Sequence, residues 1–112
     1  MSSYRDLKVW KDSFELTKLV YKATVKLPSN EKFGLASQIQ RCAVSIPSNI
    51  AEGQQRKGAN EFKQFLGIAR GSAAELSTQL LLAQDIYSIE LEILVEKTEE
   101  IQKMLYSLQQ KL

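Results

Sequence analysis

Histidine is absent from the 112 residues, and cysteine occurs once. The first absence removes the commonest general base and the commonest zinc ligand. The second excludes an intrachain disulfide and a thiolate metal cluster. Glycine and proline are scarce, at five and two residues, which argues against a turn-rich all-β fold. The longest uncharged stretches, Cys42–Ala51 and Leu76–Gln84, fall well short of the ~20 residues of a membrane span. The opening MSSYRDLKVWKD has no apolar segment of the secretory-signal kind. A soluble cytoplasmic protein with no membrane association is the expectation.

What remains is an ordinary globular balance, 44% hydrophobic and 25% charged. It is too apolar and too weakly charged for a disordered chain. The length fits one domain. At this mass a folded chain exposes roughly 6,200 Å², about a third of its unfolded surface, so one core suffices without staples. The net charge of +2 hides an asymmetry, because residues 1–70 carry +6 and residues 71–112 carry −4. Such a split fits a basic face for nucleic acid. It fits equally well helices that attract one another, within one subunit or between subunits.

Four apolar patterns have helical spacing. Leu91, Leu94, Thr98, Ile101, Leu105, Leu108 and Leu112 alternate steps of three and four, a heptad seam. Ser88 is the expected N-cap of this fourth helix, with Glu90 and Glu92 in its first turn. The first helix spans about 7–27, with Asp6 as cap and Pro28 as stop. It carries two apolar strips, Leu7/Trp10/Phe14/Thr17/Tyr21/Thr24 and Val9/Leu16/Val20/Leu27. Two strips predict two packing partners, one of which could be another subunit. The third helix starts with Asn60 as cap and runs to about Tyr87. Gly67 and Gly71 lie four apart on it. Two interior glycines cost roughly 1 kcal/mol each against alanine, so a close contact with a partner helix or a neighbouring chain is expected there. The second helix, about 31–52, contains Pro47, whose ring clashes with the carbonyl of Ala43. One kinked helix is expected, ending at Gly53 as a left-handed C-cap. Ser45, Ser48 and Asn49 are the candidates to satisfy the freed carbonyl. Short connections then give an antiparallel up-down-up-down four-helix bundle, all-α, with a proline-kinked second helix.

No catalytic constellation is present, so no enzyme, cofactor or metal is expected. Triads and Cys-His pairs need the missing histidine. Glu92, Glu96, Glu99 and Glu100 read as a solvated face. The string GQQRKG is not a phosphate-binding P-loop and follows no strand. Cys42 reads as a small buried hydrophobe. Trp10, Phe14 and Tyr21 read as core rather than as a base-stacking platform. The remaining functional signal is basic: Lys8, Lys11, Lys18, Lys22 and Lys26 on the first helix, then Arg41, Arg56, Lys57, Lys63 and Arg70. Arrays of this kind recruit phosphate backbones through counterion release, and they also occur as plain solvated faces.

The run SQIQRCAVSIPSNIAEG (37–53) and the run NEFKQFLGIARGS (60–72), followed by Glu75 and Leu76, resemble the signature of a bacterial family. This is the "four helix bundle protein" group, also called 23S ribosomal RNA intervening-sequence proteins. The accessory variability determinants of diversity-generating retroelements are similar. The resemblance runs over nearly the whole chain, and SIPSNIAEG is its most specific part. It implies a bacterial cytoplasmic homopentamer and a role with RNA or DNA. Gln40 stands where the family often has the first residue of an Arg-Arg pair, which thins the basic patch beside Arg41. The lead expectation is a non-enzymatic oligomeric bundle with Lys18, Lys22, Lys26, Arg41, Arg56, Lys57, Lys63 and Arg70 as phosphate contacts, and Gly67 and Gly71 at an oligomer contact. The alternative is a protein-interaction scaffold with no nucleic-acid role.

Overall fold

A computed structural model describes residues 3–112. Four helices carry the fold: α1 (Lys8–Thr24), α2 (Leu35–Gln55), α3 (Ala59–Tyr87) and α4 (Glu92–Gln110). There is no strand among the described residues. Each helix packs on two neighbours, α1 on α2 and α4, and α3 on α2 and α4, which leaves α1–α3 and α2–α4 as the diagonal pairs. The result is a bundle of 44 × 21 × 19 Å. Its exposed surface of 6732 Å² is somewhat above the roughly 6,200 Å² of a rounder chain of this mass, as an elongated bundle requires.

The core is aliphatic. Leu16 and Val20 from α1, Ile39, Ala43, Ile46 and Ile50 from α2, Leu66, Ala73, Leu76 and Leu80 from α3, and Val95, Ile101 and Leu105 from α4 are all buried. The heptad seam of α4 is thus the buried face, down to Leu105. On α1 the buried strip is Val9, Leu16, Val20 and Leu27, joined by Ser13 and Thr24. The aromatic strip behaves otherwise: Phe14 and Tyr21 stay 44% and 46% exposed. The core assignment of Phe14 and Tyr21 is therefore corrected, whereas Trp10 is half-buried and packs against the core. The two exposed rings border the α1–α2 seam, Phe14 beside Val44 and Pro47 and Tyr21 beside Ala36 and Gln40.

Several helix ends differ from the sequence expectation. Asp6 does not cap α1. It closes a 3-10 turn, Tyr4–Asp6, in which Ser3 Oγ accepts the N–H of Arg5 and Asp6 Oδ2 accepts the N–H of Ser3 at 3.1 Å. α2 begins at Leu35, because Ser29–Glu31 form a 3-10 turn and the Glu31 carboxylate reaches forward to the Leu35 N–H at 3.0 Å. α2 continues through Gly53 to Gln55, so Gly53 is not a left-handed cap. The positive-φ glycine is Gly58, at φ 94°, immediately before α3, which begins one residue before Asn60. Ser88 is not an N-cap either: it takes the left-handed conformation (φ 52°, ψ 43°) that ends α3. α4 starts only at Glu92, whose N–H is taken by the Glu90 side chain at 2.8 Å.

Pro47 lies inside α2 without interrupting it. Thr17 of α1 reaches the carbonyl that proline leaves unpaired, with its Oγ1 3.1 Å from the oxygen of Ala43. Asn49, one of the expected partners, instead donates to the carbonyl of Ser45 at 2.8 Å. Ser45 faces α3, 2.8 Å from Ser72 Oγ.

Candidate nucleic-acid interface

The eight basic residues do not gather into one patch. Lys18 and Lys22 are exposed along α1, and Lys26 is exposed in the turn that follows it. The last two border a groove with Glu90 and Ile93 at the start of α4. Arg41 is exposed on α2. Arg56 and Lys57 lie in the α2–α3 connection, and Lys63 is about one turn into α3. The C-terminal part of α4 reaches this end of the bundle, since Gln109 Nε2 donates to the Lys63 carbonyl at 2.9 Å.

Their availability differs. Lys22, Lys26, Arg41, Lys57 and Lys63 have no ion-pair partner among the described residues. Lys18 pairs with Glu15 at 3.3 Å, an exposed i,i+3 contact that ordinary salt weakens. Arg56 is more committed. It pairs with Glu52 at 2.7 Å, approaches Glu61 at 3.8 Å, and lies over the Phe65 ring at 5.0 Å. Arg70 is turned inward across the α3–α4 seam, donating to Gln109 Oε1 at 2.8 Å and lying 4.9 Å from the Tyr106 ring centroid.

Two further lysines were missed by the sequence reading. Lys103 of α4 and Lys111 just after it share a groove with Lys8 of α1 over an apolar floor of Leu7, Val9, Met104 and Leu108, and no carboxylate lines it. Charge counted by halves of the chain assigns α4 to the acidic side. Packing of α4 against α1 places its lysines beside those of the first helix.

Gly67 and Gly71 do not mark a close approach within the chain. A Cβ on Gly67 would meet only Gln109 Nε2 at 3.4 Å, and one on Gly71 would meet nothing within 4 Å. The close approach is at Gly53, where a Cβ would stand 2.6 Å from Phe65 Cβ and 3.1 Å from Phe62 Cδ1. Cys42 is half-buried, and burial, seconded by the Glu75 carboxylate, pushes its thiol up. That disfavours the nucleophilic thiolate. Among the described residues no three His, Cys, Asp or Glu side chains are grouped to hold a metal ion, and no helix is long and apolar enough to cross a membrane.

No curated protein matches the sequence. A family model does, over residues 5–107, and that span contains all four helices up to the last turn of α4. The chain belongs to the 23S rRNA-intervening sequence protein family.

Proposed function

We propose that the protein is a cytoplasmic, non-enzymatic, homopentameric bundle that binds RNA or DNA through its basic surface. The observation that carries the binding reading is the set of five basic side chains with no ion-pair partner among the described residues: Lys22, Lys26, Arg41, Lys57 and Lys63. An exposed cation without a carboxylate is free to replace the counterions of a phosphate chain. Lys103 and Lys111 add to it at one end of the bundle, in a groove shared with Lys8, which itself pairs with Asp12 at 2.7 Å. Arg56 and Arg70 contribute less, because both are engaged by neighbours. The pentamer rests on the family resemblance. A scaffold reading has its own support in Ile68, Leu82 and Ile86, aliphatic side chains exposed along α3.

The test is native mass by light scattering, with and without a short RNA, at two salt concentrations. A particle of roughly five times 12.7 kDa that gains mass with RNA at low salt supports the reading. Its affinity should fall with a log–log salt slope of about −0.7 per single-strand phosphate contact. A pentamer indifferent to RNA favours the scaffold, and a monomer at both salts removes the assembly.

A further inference from the structure

Two furrows lie between α1 and α2, and aromatic rings line both of them. The first holds Trp10, Phe14 and Lys18, and the second holds Tyr21, Lys32 and Phe33. No carboxylate lines either one. The α1–α4 groove at the middle of the bundle, by contrast, is lined by Asp12, Glu15 and Glu100. Phe14 and Tyr21 are seven residues apart, two turns or about 10 Å along the same face of α1. Phe33 is the most exposed of the large apolar residues at 89%. Trp10 and Phe14 already stack on each other at 5.0 Å between centroids. A lysine stands by a ring in each furrow, Lys18 Nζ 5.9 Å from Phe14 and Lys32 Nζ 5.5 Å from Phe33.

Exposed rings beside cations, with the Glu15 partner of Lys18 outside the furrow lining, have a definite chemical complement: flat π-systems joined by an anionic backbone. We infer that the α1–α2 furrows seat a single-stranded nucleic acid, its bases stacking on Phe14, Tyr21 and Phe33 while Lys18 and Lys32 face its phosphates. The inference rests on the nucleic-acid reading above and narrows it. A duplex keeps its bases stacked on one another and offers these rings nothing, whereas single strands gain from each aromatic platform. A second copy of the chain could cover the same rings, and the test separates that case.

The experiment titrates the full chain with a 15-nucleotide oligo(U), an oligo(dT) of the same length and a blunt duplex, following the emission of Trp10, the single tryptophan. Single strands should bind more tightly than the duplex and quench the emission. Phe14→Leu, Tyr21→Leu and Phe33→Leu keep apolar bulk and remove the π-face. Each should weaken single-strand binding about 5- to 150-fold, with duplex binding, melting temperature and native mass unchanged. Phe33→Leu alters a side chain that lies almost wholly in solvent, so it reports even where a variant in α1 folds poorly. Leucine variants that bind single strands as the parent does overturn the stacking and leave the charge-led reading standing. Variants that lose native mass overturn it in favour of an interface between copies. No binding of any nucleic acid removes this inference and the reading beneath it together.

Discussion

The hydroxyl of Thr17 on α1 stands 3.1 Å from the carbonyl oxygen of Ala43 on α2, the acceptor that Pro47 cannot reach for want of an N–H. The same hydroxyl lies 2.8 Å from the Ser13 carbonyl of its own helix, so one proton is shared between two acceptors. Thr17→Val keeps the shape and removes that proton. It should destabilise the fold by about 1–3 kcal/mol, the range for a polar group left unsatisfied. Pro47→Ala restores a backbone N–H to the same carbonyl. In that background Thr17→Val should cost measurably less, and denaturant unfolding of the four proteins in the cycle would show it. Equal costs in both backgrounds would disconnect Thr17 from the proline.

This relationship shows where sequence reading reached its limit. The proline and the orphaned carbonyl follow from local rules. The partner depends on which face of α1 meets α2, and spacing alone left two apolar strips on that helix. Elements with one dominant stripe, such as α4, could be read through to the core. Helix ends were harder. Ser88, Asp6 and Gly53 all have the chemistry of caps, but the backbone at each is set by how the chain must turn to bring the next helix into contact. The basic surface suffered similarly. Lys103 and Lys111 lie beside Lys8 only because α4 returns to α1, and no charge count along the chain contains that fact.

Gly53 and Gly71 should respond to alanine with opposite signs. At Gly53 the new Cβ would overlap Phe65 Cβ at 2.6 Å, a clash no rotamer change relieves. Overpacking of this kind costs typically 1–3 kcal/mol. At Gly71 the space is open and the position is helical, so Gly71→Ala should stabilise by roughly 0.5–1 kcal/mol. Thermal melts of the two variants check this. Native mass adds a second readout: if a neighbouring chain presses on Gly71, the alanine lowers the mass of the particle instead of raising its melting temperature.

Glu31 and Tyr87 tie the α1–α2 connection to the end of α3, the phenol donating to the carboxylate. This bond, with the Leu35 N–H, holds the Glu31 carboxyl below the usual carboxylate range, while the carboxylate pushes the Tyr87 phenol up. The depressed carboxyl contributes stability that is present above its unfolded pKa and lost as pH falls through the folded value. The raised phenol contributes stability that is present below its unfolded pKa and lost as pH rises through the folded value. The bond is therefore complete between about pH 4.5 and pH 10. Tyr87→Phe should lower the melting temperature across that window, and the difference from the parent should shrink on both sides of it. A difference that does not change with pH would mean the phenol acts by packing alone.

Arg70 tests whether a basic residue in a family signature is structural or recognises a ligand. Its guanidinium bridges α3 to α4 through Gln109 and Tyr106, and Gln109 is held in turn by the Lys63 carbonyl. Arg70→Ala breaks a charge-assisted bond and a cation–π interaction, so it should cost about 1–2 kcal/mol of stability. Arg70→Lys keeps the charge but cannot keep both the stack and the bond, so it should recover little of that stability. RNA affinity should hardly change in either variant. Lys22→Ala and Lys26→Ala should do the reverse: stability within about half a kcal/mol of the parent, and a salt slope shallower by about 0.7 for each phosphate the variant no longer neutralises. If Arg70→Ala weakens RNA binding as strongly as Lys22→Ala and leaves stability alone, the α3–α4 bridge is a ligand site at rest. The basic surface would then extend across that seam.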